Sequence, residues 1–352
     1  MEKLGGVSMG ITNLVRLSLV LTFVVIMLGA YTRLADAGLG CPDWPGCYGH
    51  LTVPSEQHEI ALAKALYPSL TVEANKAWLE MIHRYFAGTL GLIVFLITFR
   101  CIREKQLGYL LPVSLSLVVV FQALLGMWTV TMKLMPIVVM GHLLGGFTLF
   151  CLLSILYWRL KEAKLNLPAQ ISSSWGVKCL AVVTLIVLGF QIALGGWTSS
   201  NYAALMCTSL PICQGDWVSY LDFRTAFDLI QPERESYEFG TLDYGARMTI
   251  HVTHRFGALL VTLLCLWLIY RLLAENNKFL AKAASWIGLF LIVQLLLGVS
   301  NVLFSLPLVI AVGHNLGAAL LLISVLHVNY LLLKRVASPN KHPNFVGKET
   351  IR

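Results

Sequence analysis

LEMIHRYFAGTLGLIVFLITFR, residues 79–100, and TIHVTHRFGALLVTLLCLWLIYR, residues 249–271, are two versions of one segment. Each carries a histidine–arginine pair near its start, His83–Arg84 and His254–Arg255, followed by a long apolar run. As a helix, such a run crosses about 30 Å of hydrocarbon. A repeated segment of this kind decides the fold, because what flanks one copy should flank the other.

It does. Upstream, LGAYTRLADAGLGCPDWPGC at 28–47 is echoed by LGGWTSSNYAALMCTSLPIC at 194–213, so Gly29, Cys41 and Cys47 align with Gly195, Cys207 and Cys213 at an offset of 166. For the histidines His83 and His254 the offset is 171. Downstream, VVVFQALLGMWTV at 118–130 matches FLIVQLLLGVSNV at 290–302, pairing Gln122 with Gln294 and Gly126 with Gly298. PIVVMGHLLGG at 136–146 matches PLVIAVGHNLGAA at 307–319, pairing His142 with His314. Four echoes in one order, with offsets drifting only from 166 to 172, describe a duplicated four-helix unit.

Composition agrees. Hydrophobic residues make up 57% of the 352 and charged residues 12%, with a mean hydropathy of +0.74, against about 25% charged in a soluble domain. Apolar runs fall near 13–34, 78–100, 108–131, 135–159, 175–198, 247–271, 284–304 and 308–332. They are continuous rather than alternating, which excludes a transmembrane barrel, and so many exclude a soluble core. The first run is longer than a signal-peptide core and lacks a small-residue cleavage pattern, so a retained helix is expected. The expected fold is an all-α polytopic membrane protein of eight transmembrane helices. They form two tandem, parallel-repeat four-helix bundles, 1–170 and 171–352, because an even number of spans per half makes both halves enter from one side.

Charge sets the orientation. Arg16, Arg100, Arg103, Lys105, Arg159, Lys161, Lys164, Arg271, Lys278, Lys282, Lys334 and Arg335 share one side if both termini are cytoplasmic. The opposite, outer side receives two long loops, 35–77 with five acidic and two basic residues and 199–246 with seven and two. The formal charge of +8 is therefore a topology signal, and no basic stripe with interleaved aromatics points to nucleic acid.

Four histidines repeat inside spans: His83, His142, His254 and His314. An imidazole in hydrocarbon is costly and marks function unless it merely bonds across helices. Two facing imidazoles per half can fill both axial positions of a haem iron, but are too few for a zinc tetrahedron. Gly88, Gly91, Gly145, Gly146, Gly257, Gly313 and Gly317 flank them and leave room for a macrocycle. Glu80, three residues before His83, shares its helix face, and His251 takes that place in the second half. Glu80 is a catalytic carboxylate or an interfacial charge paired with Arg84. Arg84 and Arg255 meet haem propionates or snorkel to lipid phosphate. Gln122 and Gln294 orient the histidines or bond between helices. His327 has no counterpart and reads as structural, while His50, His58 and His342 read as solvated. Cys41 with Cys47 and Cys207 with Cys213 face an oxidising compartment as structural disulfides or as redox pairs. Cys101, Cys151, Cys179 and Cys265 read as small packing residues.

GAYTRLADAGLGCPDWPGC, EMIHR, GHLLGG, HVTHRFGALL and GHNLGAALL together resemble heme A synthase, the cytochrome oxidase assembly enzyme of bacterial and mitochondrial membranes, over about 12–332. The resemblance implies oxidation of the C8 methyl of heme O to the formyl of heme A. It assigns a heme B cofactor to His254 and His314, substrate heme O to His83 and His142, and the catalytic carboxylate to Glu80. The family's cysteine pairs map onto Cys41–Cys47 and Cys207–Cys213. It further implies a bacterial inner membrane, contact with heme O synthase and cytochrome oxidase assembly factors, and a possible homo-oligomer. A quinol-linked di-haem cytochrome is the main rival, and a transporter binding cargo through buried histidines is the second. The segment 216–240 is expected to form part of a lid or an amphipathic surface helix.

Overall fold

The computed structural model describes residues 3–104, 108–165, 171 and 173–333. Eight of its helices are long and apolar enough to cross a membrane. They are α1 (Lys3–Leu34), α3 (Ala74–Glu104), α4 (Leu110–Thr131), α5 (Pro136–Leu165), α6 (Trp175–Ser200), α8 (Tyr244–Ala274), α9 (Lys278–Leu303) and α10 (Leu308–Leu333). The short α2 (Gln57–Leu66) and α7 (Phe223–Ala226) lie in the two long connections. The expected all-α, eight-span membrane protein is what is found. Lys105, Lys334, Arg335, His342 and the Lys164 side chain lie outside the described residues.

Local chemistry ends the helices where the apolar runs end. Pro136 opens α5, where a missing N–H costs nothing. Ser174, Asp243 and Asn277 cap α6, α8 and α9 by accepting from Val177 N, Ala246 N and Phe279 N. The C-terminal ends repeat in detail. Ala37 N bonds Thr32 O and Ala203 N bonds Thr198 O, both at 2.9 Å. Leu134 N bonds Thr129 O and Leu306 N bonds Asn301 O, both at 2.8 Å. These are six-to-one closures with a left-handed residue, and Asp36, Tyr202, Lys133 and Ser305 adopt φ of 49°, 52°, 50° and 56°. The duplication read in the letters therefore extends to the way α1 and α6, and α4 and α9, stop.

In the first half α1 packs on α3 and α5, and α4 on the same two; in the second α6 packs on α8 and α10, and α9 on those two. The α5–α6 and α1–α10 contacts join them. One apolar cluster runs through Ile11, Val94, Ile97, Leu115 and Leu153. Another runs through Leu188, Leu268, Ile287, Leu321 and Val325, with Ile26 and Phe150 entering it from α1 and α5. Leu92, Phe190, Leu263 and Leu296 point outward, as side chains facing lipid do.

The connections hold two differences from expectation. Over 216–240 the backbone makes a turn at Val218–Tyr220 and the four-residue α7, in place of the longer surface helix that was one of the two alternatives. It is pinned by Trp197 Nε1 donating to Ala226 O at 2.8 Å and Gln231 Nε2 to Asn201 Oδ1 at 2.8 Å. It also reaches the first half, where Tyr237 N donates to Lys133 O at 3.0 Å, and Phe227 packs, as Ile137 and Met140 of α5 do, against the cluster of Trp197, Ala203, Ala226, Ala246 and Ile250. Conversely, α2 in the first loop was not foreseen. Its signal is the acidic pair Glu56 and Glu59, which forms a capping box.

Candidate functional site

All four repeated histidines sit in the turns nearest the long connections, and each ring lies on a glycine of the neighbouring helix. A Cβ added at Gly29 of α1 would stand 3.0 Å from His83 Cε1, and one at Gly126 of α4 would stand 3.3 Å from His142 Cε1. In the second half Gly195 of α6 meets His254 Cε1 at 3.2 Å and Gly298 of α9 meets His314 Cε1 at 3.1 Å. Of the glycines expected to make room for a macrocycle, Gly88 has nothing within 4 Å of an added Cβ, but three others serve the chain itself. Gly145, Gly257 and Gly317 are grooves filled by the amides of Gln122, Gln191 and Gln294. Gln294 Nε2 lies 3.3 Å from His314 Nε2. The ring glycines were already in the quoted repeats, and the direction of packing is what the letters lacked.

The rings of His83 and His142 are 6.3 Å apart between centres and nearly perpendicular, at 86°. Two metal–imidazole bonds of about 2.1 Å each, plus about 1.1 Å from nitrogen to ring centre at both ends, span about 6.4 Å. The pair therefore has the separation needed to hold one iron between them. The Nδ1 atoms of His83, His142 and His314 are buried without a hydrogen-bond partner, which is costly unless a ligand or water completes them. Two imidazoles per site suit a haem, whose macrocycle provides the other four iron bonds.

Glu80 sits one turn outward of His83 and is 5% exposed. Its Oε1 pairs with Arg84 at 2.5 Å, and its Oε2 accepts the backbone N–H of Cys41 at 2.9 Å. Arg84 also donates to the carbonyls of Asp43 at 3.0 Å, Pro45 at 3.2 Å and Gly46. Arg255 does the same work in the second loop, donating to Ser209 O at 2.8 Å, Cys207 O at 2.5 Å and Cys207 Sγ at 3.1 Å. His251, in the place of Glu80, is consumed as a link. Its Nδ1 is 2.9 Å from Ala203 O, and its Nε2 accepts from Arg255 Nε at 2.9 Å. That pattern fixes a neutral imidazole with its proton on Nδ1. Glu80 thus balances Arg84, whereas Arg255 has no carboxylate beside it among these partners.

Both cysteine pairs are disulfides, Cys41–Cys47 and Cys207–Cys213, with Cα separations of 4.8 and 5.4 Å. The first loop presses closely on its helix. A Cβ at Gly40 would stand 2.6 Å from the Lys76 carbonyl carbon, and Met206 takes the equivalent place in the second half. Gly40→Ala is expected to push this loop off α3, costing about 1–3 kcal/mol as overpacking does. A lower apparent unfolding temperature in detergent checks it, and an unchanged one refutes the close-contact argument.

The sequence reading missed a cluster joining the halves. Arg33 donates to Tyr202 Oη at 2.8 Å and to Ser199 O at 2.7 Å, lies over the Tyr202 ring at 4.1 Å, and is 3.7 Å from Asp36 Oδ1. Tyr202 donates to Asp36 at 2.9 Å, and burial first of all holds its phenol pKa up, keeping it a donor. Arg33 aligns with Ser199 and Asp36 with Tyr202, so the signal was a break in the repeat. His327 lies 4.8 Å from the Trp158 ring, away from both pairs. His58 is exposed near Glu56, while His50 is not simply solvated, since its Nε2 is buried and its backbone pairs with Cys47. Of the remaining cysteines, Cys101 and Cys265 are buried, Cys151 is half-buried and Cys179 is exposed.

The family model described as "Cytochrome oxidase assembly protein" matches residues 12–326. The chain is 53% identical over 333 residues to a heme A synthase of Shewanella oneidensis, covering 95% of this chain and 100% of that one. It is 27% identical over 339 residues to a heme A synthase of Caulobacter vibrioides, covering 86% and 90%. A heme A synthase of Wolbachia pipientis is 26% identical over 344 residues, covering 91% and 92%.

Proposed function

From a chain that belongs to the cytochrome oxidase assembly family, and within it to the heme A synthases, we propose a division of labour between two tandem, parallel-repeat four-helix bundles, 1–170 and 171–352. The protein is a multi-pass inner-membrane oxidoreductase that converts heme O to heme A in the service of cytochrome oxidase assembly. Within that activity, the first half takes substrate heme O between His83 and His142 and the second holds heme B between His254 and His314. The observation carrying this reading is the 6.3 Å spacing of the His83 and His142 rings beside a buried carboxylate.

Heme B, held by His254 and His314, would supply one-electron chemistry. The chain's own residues do the rest. His83 and His142 fix the substrate, with Gly29 and Gly126 setting how close the rings come to the neighbouring helices. Oxidising the C8 methyl to a formyl group releases protons, and Glu80 is the carboxylate held where one can be accepted. Arg84 balances the ionised form of Glu80 and carries the first disulfide loop over the site. Arg84 and Arg255 stand at the rim where propionates would emerge. His251 supplies no acceptor in the second half, consistent with electron relay alone.

The orientation proposed places both termini in the cytoplasm and the disulfide loops outside. Arg100, Arg103, Arg159, Lys161, Arg271, Lys278 and Lys282 at the helix ends remote from those loops support it. Heme O synthase and other assembly factors are the partners proposed to deliver substrate and receive product, in a monomer or a homo-oligomer.

Pigment analysis of the purified full-length protein tests the whole reading. Heme B together with heme O, heme A or an oxidised intermediate is expected. Correctly folded protein without haem would overturn it.

A further inference from the structure

The two histidine pairs differ in one respect that neither the Glu80–His251 exchange nor the loops explain. Gln191 of α6 reaches His254, with Nε2 3.0 Å from His254 Nδ1 and donating to His254 O at 2.9 Å. It fits there because Gly257, one turn along α8, has no side chain, and a Cβ at that position would collide with Gln191 Oε1. The offsets of the repeat, 166 for α1 against α6 and 171 for α3 against α8, put Val25 in the place of Gln191 and Phe86 in the place of Gly257. Both partners of the arrangement are therefore exchanged together. In that place His83 meets the Val25 backbone carbonyl rather than a side-chain amide. The other glutamine is common to both halves, Gln122 beside His142 and Gln294 beside His314.

An amide against the far nitrogen of a ligating imidazole fixes the ring's rotation and tautomer. The Gln191 amide, anchored by donating Nε2 to His254 O and lying 3.0 Å from His254 Nδ1, restricts how that ring can turn. Loss of such a partner typically costs about 10–100-fold in metal affinity. A cofactor site gains from that affinity. A site that must take in substrate and release product at every turnover is slowed by it.

We infer that Gln191, seated in the Gly257 groove, is a positioning residue that makes the second pair a resident-haem site, and that Val25 with Phe86 leaves the first pair exchangeable. This rests on the proposed assignment of heme B to His254 and His314. Gln191→Met, which keeps side-chain length and removes both polar atoms, should release heme B to excess apomyoglobin about 10–100-fold faster than wild type. It should also change the low-spin electron paramagnetic resonance g values of that haem, a signature that a packing role alone would leave in place. Val25→Gln with Phe86→Gly is the converse variant, and should retain heme O or heme A about tenfold longer against the same acceptor. If Gln191→Met proves unstable, the converse variant alone decides. Wild-type release rates and g values in either variant that folds overturn the inference. Heme B retained by His254→Ala would instead sink the assignment beneath it, so the two failures are distinct.

Discussion

Glu80→Gln is expected to keep heme B and to lose formation of heme A by about 10²–10⁴-fold, the usual worth of a positioned proton acceptor. Glutamine keeps the length of the side chain, and its oxygen can still accept the Cys41 N–H now held at 2.9 Å by Glu80 Oε2. What it loses is the ability to take a proton, together with the charge opposite Arg84. Glu80→Ala adds a second defect, because it also releases the anchor of the Cys41–Cys47 loop. The two variants therefore separate chemistry from architecture. Both should stall on heme O or a partly oxidised haem in the extracted pigments, and only the alanine variant should also expose the first disulfide to reductant. Unchanged heme A from Glu80→Gln would reduce the carboxylate to a loop anchor.

Much of this site was legible from the letters, and the physics says which part. Helices that must satisfy every backbone group in lipid announce themselves as continuous apolar runs, so all eight spans were readable, though α1, α3, α5, α8 and α9 extend beyond the expected limits. Duplication made His83, His142, His254 and His314 stand out, because a polar residue kept at one depth in two halves is hard to obtain by chance. The pairing of the loop cysteines was readable from their place on one side of the membrane, whereas the choice between structural disulfides and redox pairs stayed open. What stayed hidden were the contacts made where the copies differ. Arg33 against Ser199, Asp36 against Tyr202 and Val25 against Gln191 look like noise in a repeat, and only packing shows that each break has a partner. The flanking glycines were read as space for a macrocycle because sequence gives the missing side chain without the neighbour that uses the gap. Gly145, Gly257 and Gly317 turned out to house amides, and Gly29, Gly126, Gly195 and Gly298 to carry the imidazole rings.

His83→Ala and His254→Ala remove equivalent atoms from equivalent turns, yet they are expected to fail in opposite ways. His254→Ala should purify with heme B reduced at least about tenfold, since it removes a histidine proposed to hold that haem and strands the Gln191 amide beside it. Heme A should then fall as a consequence, with heme O still able to enter between His83 and His142. His83→Ala should purify with its heme B spectrum intact and make no heme A, because the substrate would have one imidazole rather than the pair whose centres lie 6.3 Å apart. Free imidazole offers a check on mere misfolding. Each alanine leaves a ring-sized gap beside a glycine, Gly29 in one half and Gly195 in the other. Added imidazole should restore the heme B bands in His254→Ala and have no such band to restore in His83→Ala. Equal loss of heme B from both variants would mean that the duplicated halves share one function, and the contrast between Glu80 and His251 would need another explanation.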